Sequence, residues 1–84
     1  MSVADGQELT GLVIWRVDVR GRAERVEFLV DGVLRGTDVA APFTFGWNAS
    51  AEQPGEHRLT ARAHGPGGGV AERTVTVVVP PAAP

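Results

Sequence analysis

From Leu12 to Arg20 the chain reads LVIWRVDVR, with Val13, Trp15, Val17 and Val19 on one face and Arg16, Asp18 and Arg20 on the other. Alternation with a period of two marks a half-buried strand. The same period recurs downstream. ERVEFLV turns Val26, Phe28 and Val30 inward and Glu27, Leu29 and Asp31 outward. FTFGWN gathers Phe43, Phe45 and Trp47 on one side, and HRLTARA sets His57, Leu59, Ala61 and Ala63 against Arg58, Thr60 and Arg62. RTVTVVV points Val75, Val77 and Val79 inward. QELTG reads as a short edge strand and VLRGTDV as a polar-sided one. No long window repeats its apolar residues at helical spacing, so helices are not expected.

Turn chemistry falls between these runs. Asp31–Gly32 is a hairpin signal, because glycine accepts the positive φ of a tight primed turn. Gly21–Arg22 and EQPGE are further turns, and Ala41–Pro42 holds the chain extended before the aromatic strand. HGPGGG is a flexible loop, since glycine supplies backbone freedom and no side chain. Six or seven short strands with regular turns predict an all-β antiparallel sandwich, with a partly open barrel as the structural alternative. At 84 residues the chain is expected to form a single domain over 1–79, followed by a Pro/Ala-rich linker or tail over 80–84.

Composition narrows the function. The net charge is −2 with both signs spread along the chain, which lacks the basic footprint of a nucleic-acid binder. All basic residues are arginine, as a GC-rich coding bias would give; selection for carboxylate-clamping forks is the other reading. There is no cysteine, so disulfides, thiolate metal sites and a cysteine nucleophile are excluded. The longest apolar runs, LVIW and VTVVV, fall far short of the ~20 residues of a membrane span. The N-terminal MSVADGQ has neither the basic start nor the apolar middle of a signal peptide.

VEFLVDG, then GTDVAAPFTFGW, then GEHRLTARA together resemble the bacterial immunoglobulin-like domains found in tandem in secreted and cell-surface proteins. The residues that carry the resemblance are Val26, Phe28, Asp31, Gly32, Pro42, Phe43, Trp47, Gly55, His57, Leu59 and Ala61. It implies an immunoglobulin-like sandwich located outside the cell or at its surface. Such modules serve as spacers, adhesion repeats and accessory domains of carbohydrate-active enzymes. Two departures stand out. HGPGGG replaces the family's Asp-x-x-Gly-Asn-like loop, so a turn-stabilising role is lost or passes to His64. The chain also starts almost at the family's first turn, so the first strand reads as clipped and its sheet edge as open.

The candidate sites are few. Trp15 and Trp47 share parity with core residues, which favours packing; exposed, either would offer a pyranose a flat apolar face. His57 has inward parity and is read as structural, bonding back to a loop as the tyrosine of an immunoglobulin corner does. His57 at the start of its strand and His64 on the loop that follows, without an Asp or Glu expected near them in space, make a poor zinc set, so no metal or other cofactor is expected. Ser50 and His57 form a pair without a carboxylate to orient the imidazole, and Glu24 with Glu27 lie on an exposed face, so no catalytic residues are assigned. Asn48–Ala49–Ser50 matches a glycosylation acceptor but is read as a turn. Pairing of the Val26 and His57 strands would put Glu27 and Leu29 beside Arg58 and Arg62. That face is either a solvated ladder of Glu–Arg pairs or a contact surface centred on Leu29. The expected function is a monomeric, non-catalytic spacer or docking module whose partners are neighbouring domains or another protein. The alternative is a carbohydrate-binding accessory module with a polysaccharide as its partner.

Overall fold

The computed structural model describes residues 2–81. Most of the expected 80–84 tail therefore lies outside the described residues. Six strands form: β1 Leu12–Val17, β2 Arg25–Val30, β3 Val33–Asp38, β4 Phe43–Asn48, β5 Gly55–His64 and β6 Val70–Val79. Two short 3₁₀ turns, at Ala49–Ala51 and Pro66–Gly68, are the helical elements among the described residues. No helix there is long and apolar enough to cross a membrane.

The strands make two antiparallel sheets, β1–β4 and β3–β2–β5–β6. Alternation dictates which faces meet. Trp15, Phe43 and Trp47 of the small sheet, with Ala49 of the turn after β4, are buried against Val26, Phe28, Val30, Leu59, Ala61, Val75, Val77 and Val79 of the large one. Trp15 packs edge-on to Phe28, ring centres 4.9 Å apart, and Phe45 stacks on Phe28 at 5.6 Å. Such geometry suits the ring quadrupoles. Val13, Val17 and Val19 pack against this core as half-buried neighbours.

The β2–β3 hairpin closes as its sequence requires: Asp31 and Gly32 take φ of 53° and 80°, the two left-handed residues of a type I′ turn. At Asn48 the side chain accepts from the Ser50 amide at 3.2 Å, the local turn expected of NAS. Elsewhere the strand lengths differ from expectation. Asp18, Val19 and Arg20 continue beyond β1 only as irregular chain, since β1 ends at Val17 where its partner β4 begins at Phe43. The QELTG edge strand reduces to one parallel bridge, Glu8 with Val78.

The chain N-terminal to β1 covers two edges. Ser2 bonds both backbone groups of Arg16, its amide to the oxygen and its hydroxyl to the nitrogen, each at 2.8 Å. Further on, the Gly6 and Leu9 amides donate to Thr76 and Val78, and Val3 and Leu9 enter the core. This segment occupies the C-terminal half of the β6 edge, part of the edge expected to be open.

Candidate functional site

The polar side chains of greatest chemical interest gather at the end of the sandwich that holds the β2–β3 turn. His57, near the start of β5, is 8% exposed. Its Nδ1 lies 2.6 Å from Asp31 Oδ2 and its Nε2 lies 2.6 Å from the Gln53 carbonyl oxygen. A carbonyl only accepts, and an ionised carboxylate only accepts. Both ring nitrogens therefore donate, which requires the imidazolium form. The hydrogen bond to Gln53 raises the His57 pKa above its ordinary 6.5 against the opposing effect of burial, and the bond and charge of Asp31 add to the rise. Partial burial pushes the Asp31 carboxyl up, but the Arg58 amide, the His57 bond and the nearby positive charges outweigh it and hold its pKa below 3.8. Asp31 Oδ1 accepts that Arg58 amide at 2.8 Å.

A second chain of contacts runs alongside. Glu52 Oε1 accepts from the Trp47 indole at 3.0 Å and from Arg35 Nη2 at 2.9 Å. Asp31 and Arg35 belong to the β2–β3 hairpin; Glu52 and Gln53 belong to the β4–β5 connection. The hairpin is thus clasped to that connection twice, with Trp47 and His57 meeting edge-on between the clasps at 6.2 Å.

His57 has the structural role expected of it, a bond back to a loop carbonyl. The expectation that neither histidine has a nearby carboxylate is corrected: Asp31 reaches His57, and Glu27 reaches His64 Nε2 across from β2. Each carboxylate lies more than twenty residues away in sequence. His64 does not stabilise the glycine loop after β5 through its ring, which instead bonds Glu27 and Arg25. The loop closes through its own backbone, Gly65 to Gly69 at 2.8 Å. Ser50 is not beside His57; its hydroxyl accepts from the Gly11 amide at 2.8 Å. Among the described residues no three His, Asp or Glu side chains converge as metal ligands would.

The two tryptophans are enclosed: Trp15 is 0% exposed and Trp47 2%. Neither can present a ring face to a sugar, which corrects the alternative reading at these residues. Parity placed them in the core, and the facing sheet covers them. The Trp15 indole nitrogen has no hydrogen-bond partner among the described residues.

On the outer face of the large sheet, Glu27 does sit opposite Arg62. The expected Glu–Arg pair does not form, because Glu27 engages His64 and Arg62 bonds Glu72 of β6 at 2.7 Å. Arg58 has no carboxylate partner among the described residues, and its backbone holds Asp31. Leu29 is buried at 7% exposure rather than forming an apolar centre for contact. It lies on a central strand between Thr60 and Leu34, and a register irregularity between Phe28 and Leu29 brings Leu34 opposite it. The exposed large apolar side chains of that strand pair are Val33 and Leu34, both on β3.

Comparison with solved structures finds the same architecture. The fibronectin(III)-like modules of Clostridium thermocellum CbhA superpose with a TM-score of 0.75 at 22% identity, covering 95% of this chain and 94% of that one. The endo-beta-1,4-mannanase of Thermotoga petrophila superposes with a TM-score of 0.67 at 18% identity over 89% of this chain, which spans 17% of the mannanase. No curated protein matches the sequence. A family model described as bacterial Ig domain matches residues 3–61, which include the DG hairpin, the Trp47 strand and the His57 clasp. With that match extending over most of its length, the chain belongs to the bacterial Ig domain family.

Proposed function

We propose that this domain is a non-catalytic spacing and docking module of a secreted or cell-surface bacterial protein. The observation that carries the reading is where the chain enters and leaves. Ser2 is fixed at Arg16, towards the end of the sandwich where β1 finishes and β6 starts, whereas Val79 pairs with Gly55 at the other end. The ten residues of β6 span roughly 30 Å between those ends. A body entered at one end and left at the other transmits distance and orientation. The Pro-rich sequence after Val79 is of the kind that stiffens a connection between domains.

The polar side chains support the same reading. His57, Asp31, Glu52 and Arg35 are engaged with one another, with the Trp47 indole or with backbone, and among the described residues the His57 ring bonds Asp31 and the Gln53 carbonyl rather than a hydroxyl. Membership of the bacterial Ig family supports the extracellular or surface location. The likeness to the CbhA fibronectin(III)-like modules and to a segment of an endo-beta-1,4-mannanase supports a parent chain in which such a domain adjoins others.

Small-angle scattering tests the spacing role. Two copies in tandem, joined by the native Pro80–Pro84 sequence, should give a maximum dimension near twice that of one copy. A compact side-by-side pair would overturn it.

A further inference from the structure

Asp–Gly occurs at Asp5–Gly6 and at Asp31–Gly32, and the fold holds the two carboxyl groups in different ways. This pair is prone to isomerise, because glycine has no side chain to shield the peptide nitrogen that follows the aspartate. That nitrogen attacks Cγ, and its hydrogen leaves with the carboxyl hydroxyl as water. The cyclic succinimide then takes water back at either carbonyl. Opening at one restores aspartate; opening at the other leaves isoaspartate, whose main chain runs through Cβ. Water is lost and regained, so no other reactant is needed. The reaction asks for a carboxyl group that can take up a proton and turn its carbon onto the glycine nitrogen.

Asp31 is held against both requirements. Its Oδ2 lies 2.6 Å from His57 Nδ1, and its Oδ1 accepts the Arg58 amide at 2.8 Å. Its own amide donates to the Arg58 carbonyl at 2.8 Å. Two bonds to separate oxygens fix the side-chain torsions. They also favour the ionised carboxylate, the form that has no hydroxyl to lose. The anchor is β5, a central strand of the large sheet.

Asp5 is held by one oxygen. Its Oδ1 accepts the Thr76 amide at 2.8 Å, and Oδ2 has no partner among the described residues. The Gly6 amide, the attacking nitrogen, donates to the Thr76 carbonyl at 2.7 Å, so attack waits on release from Thr76. That release is local. Ala4, Asp5, Gly6, Gln7 and Glu8 are all exposed, and the segment meets β6 through one ladder bridge, Glu8 with Val78. Segments with few buried contacts and exposed hydrogen bonds open at small cost in free energy. Exposure alone does not separate the two sites, since Asp31 is exposed as well. The number and anchoring of the bonds do.

We infer that Asp5–Gly6 is a site of spontaneous isoaspartate formation in the folded domain, and that the clasp at Asp31 keeps the second Asp–Gly pair from the same reaction. Isomerisation at Asp5 lengthens the main chain by one methylene and moves the carboxylate. The Asp5 and Gly6 bonds to Thr76 then cannot both survive, and the β6 edge opens at Thr76, where an unpaired strand edge invites association. This inference does not depend on the spacing role.

The test is incubation of the domain in water enriched in oxygen-18, at neutral pH and physiological temperature. Each succinimide that hydrolyses leaves one heavy oxygen in the chain. Tryptic peptides 1–16 and 26–35 hold one aspartate each, Asp5 and Asp31, so mass spectrometry reads the sites separately. Label should enter at Asp5 and at least about tenfold more slowly at Asp31, since the reactive arrangement there forfeits two charge-assisted bonds. In strong urea the two sites should label at similar rates. In His57→Phe the Asp31 rate should rise while the Asp5 rate stays at its native value, which also reports that the variant is folded; were the variant unfolded, both sites would label as in urea. Amide exchange at Thr76 should quicken in the aged protein. The inference is overturned if native Asp31 labels as fast as Asp5, if native Asp5 stays unlabelled while urea labels both, or if the two sites differ as much in urea as in the native domain. An unchanged Asp31 rate in folded His57→Phe overturns the role of the clasp, and unchanged Thr76 exchange overturns the opening of the edge.

Discussion

Replacing His57 by phenylalanine keeps a ring in the core and removes both of its hydrogen bonds. The Gln53 carbonyl loses its donor, and the Asp31 carboxylate loses the nearer of its two partners. One bond joins charged groups and the other runs from a charged donor to a carbonyl. Such bonds contribute ~1.5–3 kcal/mol each, and part of the loss is recovered because Asp31 can turn to water, so a net cost of about 3 kcal/mol is expected. In a domain of this size that lowers Tm by roughly 12–24 °C.

The pH dependence separates this clasp from simple packing. Unfolded, His57 titrates near 6.5; folded, it keeps its proton to higher pH. Its contribution is therefore complete below pH 6.5 and is lost as pH rises through the folded value. A neutral imidazole has one N–H, so one of the two acceptors must then go without its donor. Asp31 acts in the opposite direction: its contribution is complete above 3.8 and is lost as pH falls through its lower folded value. Thermal melts of wild type and His57→Phe from pH 5 to 9 should show their widest gap at pH 5–6.5, with narrowing above. A gap that is constant over this range, or that widens at alkaline pH, refutes the imidazolium assignment. Asp31→Asn supplies the companion measurement. Asparagine tolerates the φ of 53° at this turn, so the hairpin survives while the charge is removed. The His57 titration followed by NMR should then move to lower pH.

Glu52→Ala should destabilise more than Glu52→Gln in urea unfolding, by about 1–2 kcal/mol, because glutamine can still accept from the enclosed Trp47 indole. Gly36→Ala would place a methyl carbon 2.7 Å from a ring carbon of Phe45, a clash expected to cost about 1–3 kcal/mol in a thermal melt; Phe45→Leu in the same chain should recover part of it. Both indoles should resist acrylamide quenching and emit at short wavelength, and a red-shifted, readily quenched spectrum would contradict their burial. Their indole N–H signals should stay unmoved in titrations with plant, fungal and bacterial-wall polysaccharides.

Much of the fold was legible because a period of two leaves little choice of face. Once Trp15, Phe28, Trp47 and Leu59 share inward parity with their strand neighbours, one sandwich core follows, and the Asp31–Gly32 turn fixes the register of the central hairpin. What parity does not contain is depth and pairing across strands. Leu29 has outward parity and is nevertheless buried, because a central strand is walled on both sides and a register irregularity sets Leu34 against it. Glu27 faces Arg62 as pairing predicts, yet its carboxylate goes to His64, since Arg62 has a second acid within reach on β6.

The clasp shows the same limit at the candidate site. In the sequence Asp31 reads as a turn former and His57 as a core position with a loop bond, and each reading is correct alone. Their contact joins residues 26 positions apart, and no local pattern encodes it. The two motifs are nonetheless parts of one device. The I′ turn orients the Asp31 carboxylate back over β5, where one oxygen takes the Arg58 amide and the other takes His57. The other ring nitrogen then donates to Gln53, so an otherwise exposed hairpin tip is tied to the β4–β5 connection that joins the two sheets. A neutral side chain at position 57 could fill the volume, but it could not donate from both ends of a ring to two acceptors on separate elements. That requirement, rather than acid–base chemistry, accounts for a buried histidine in this domain.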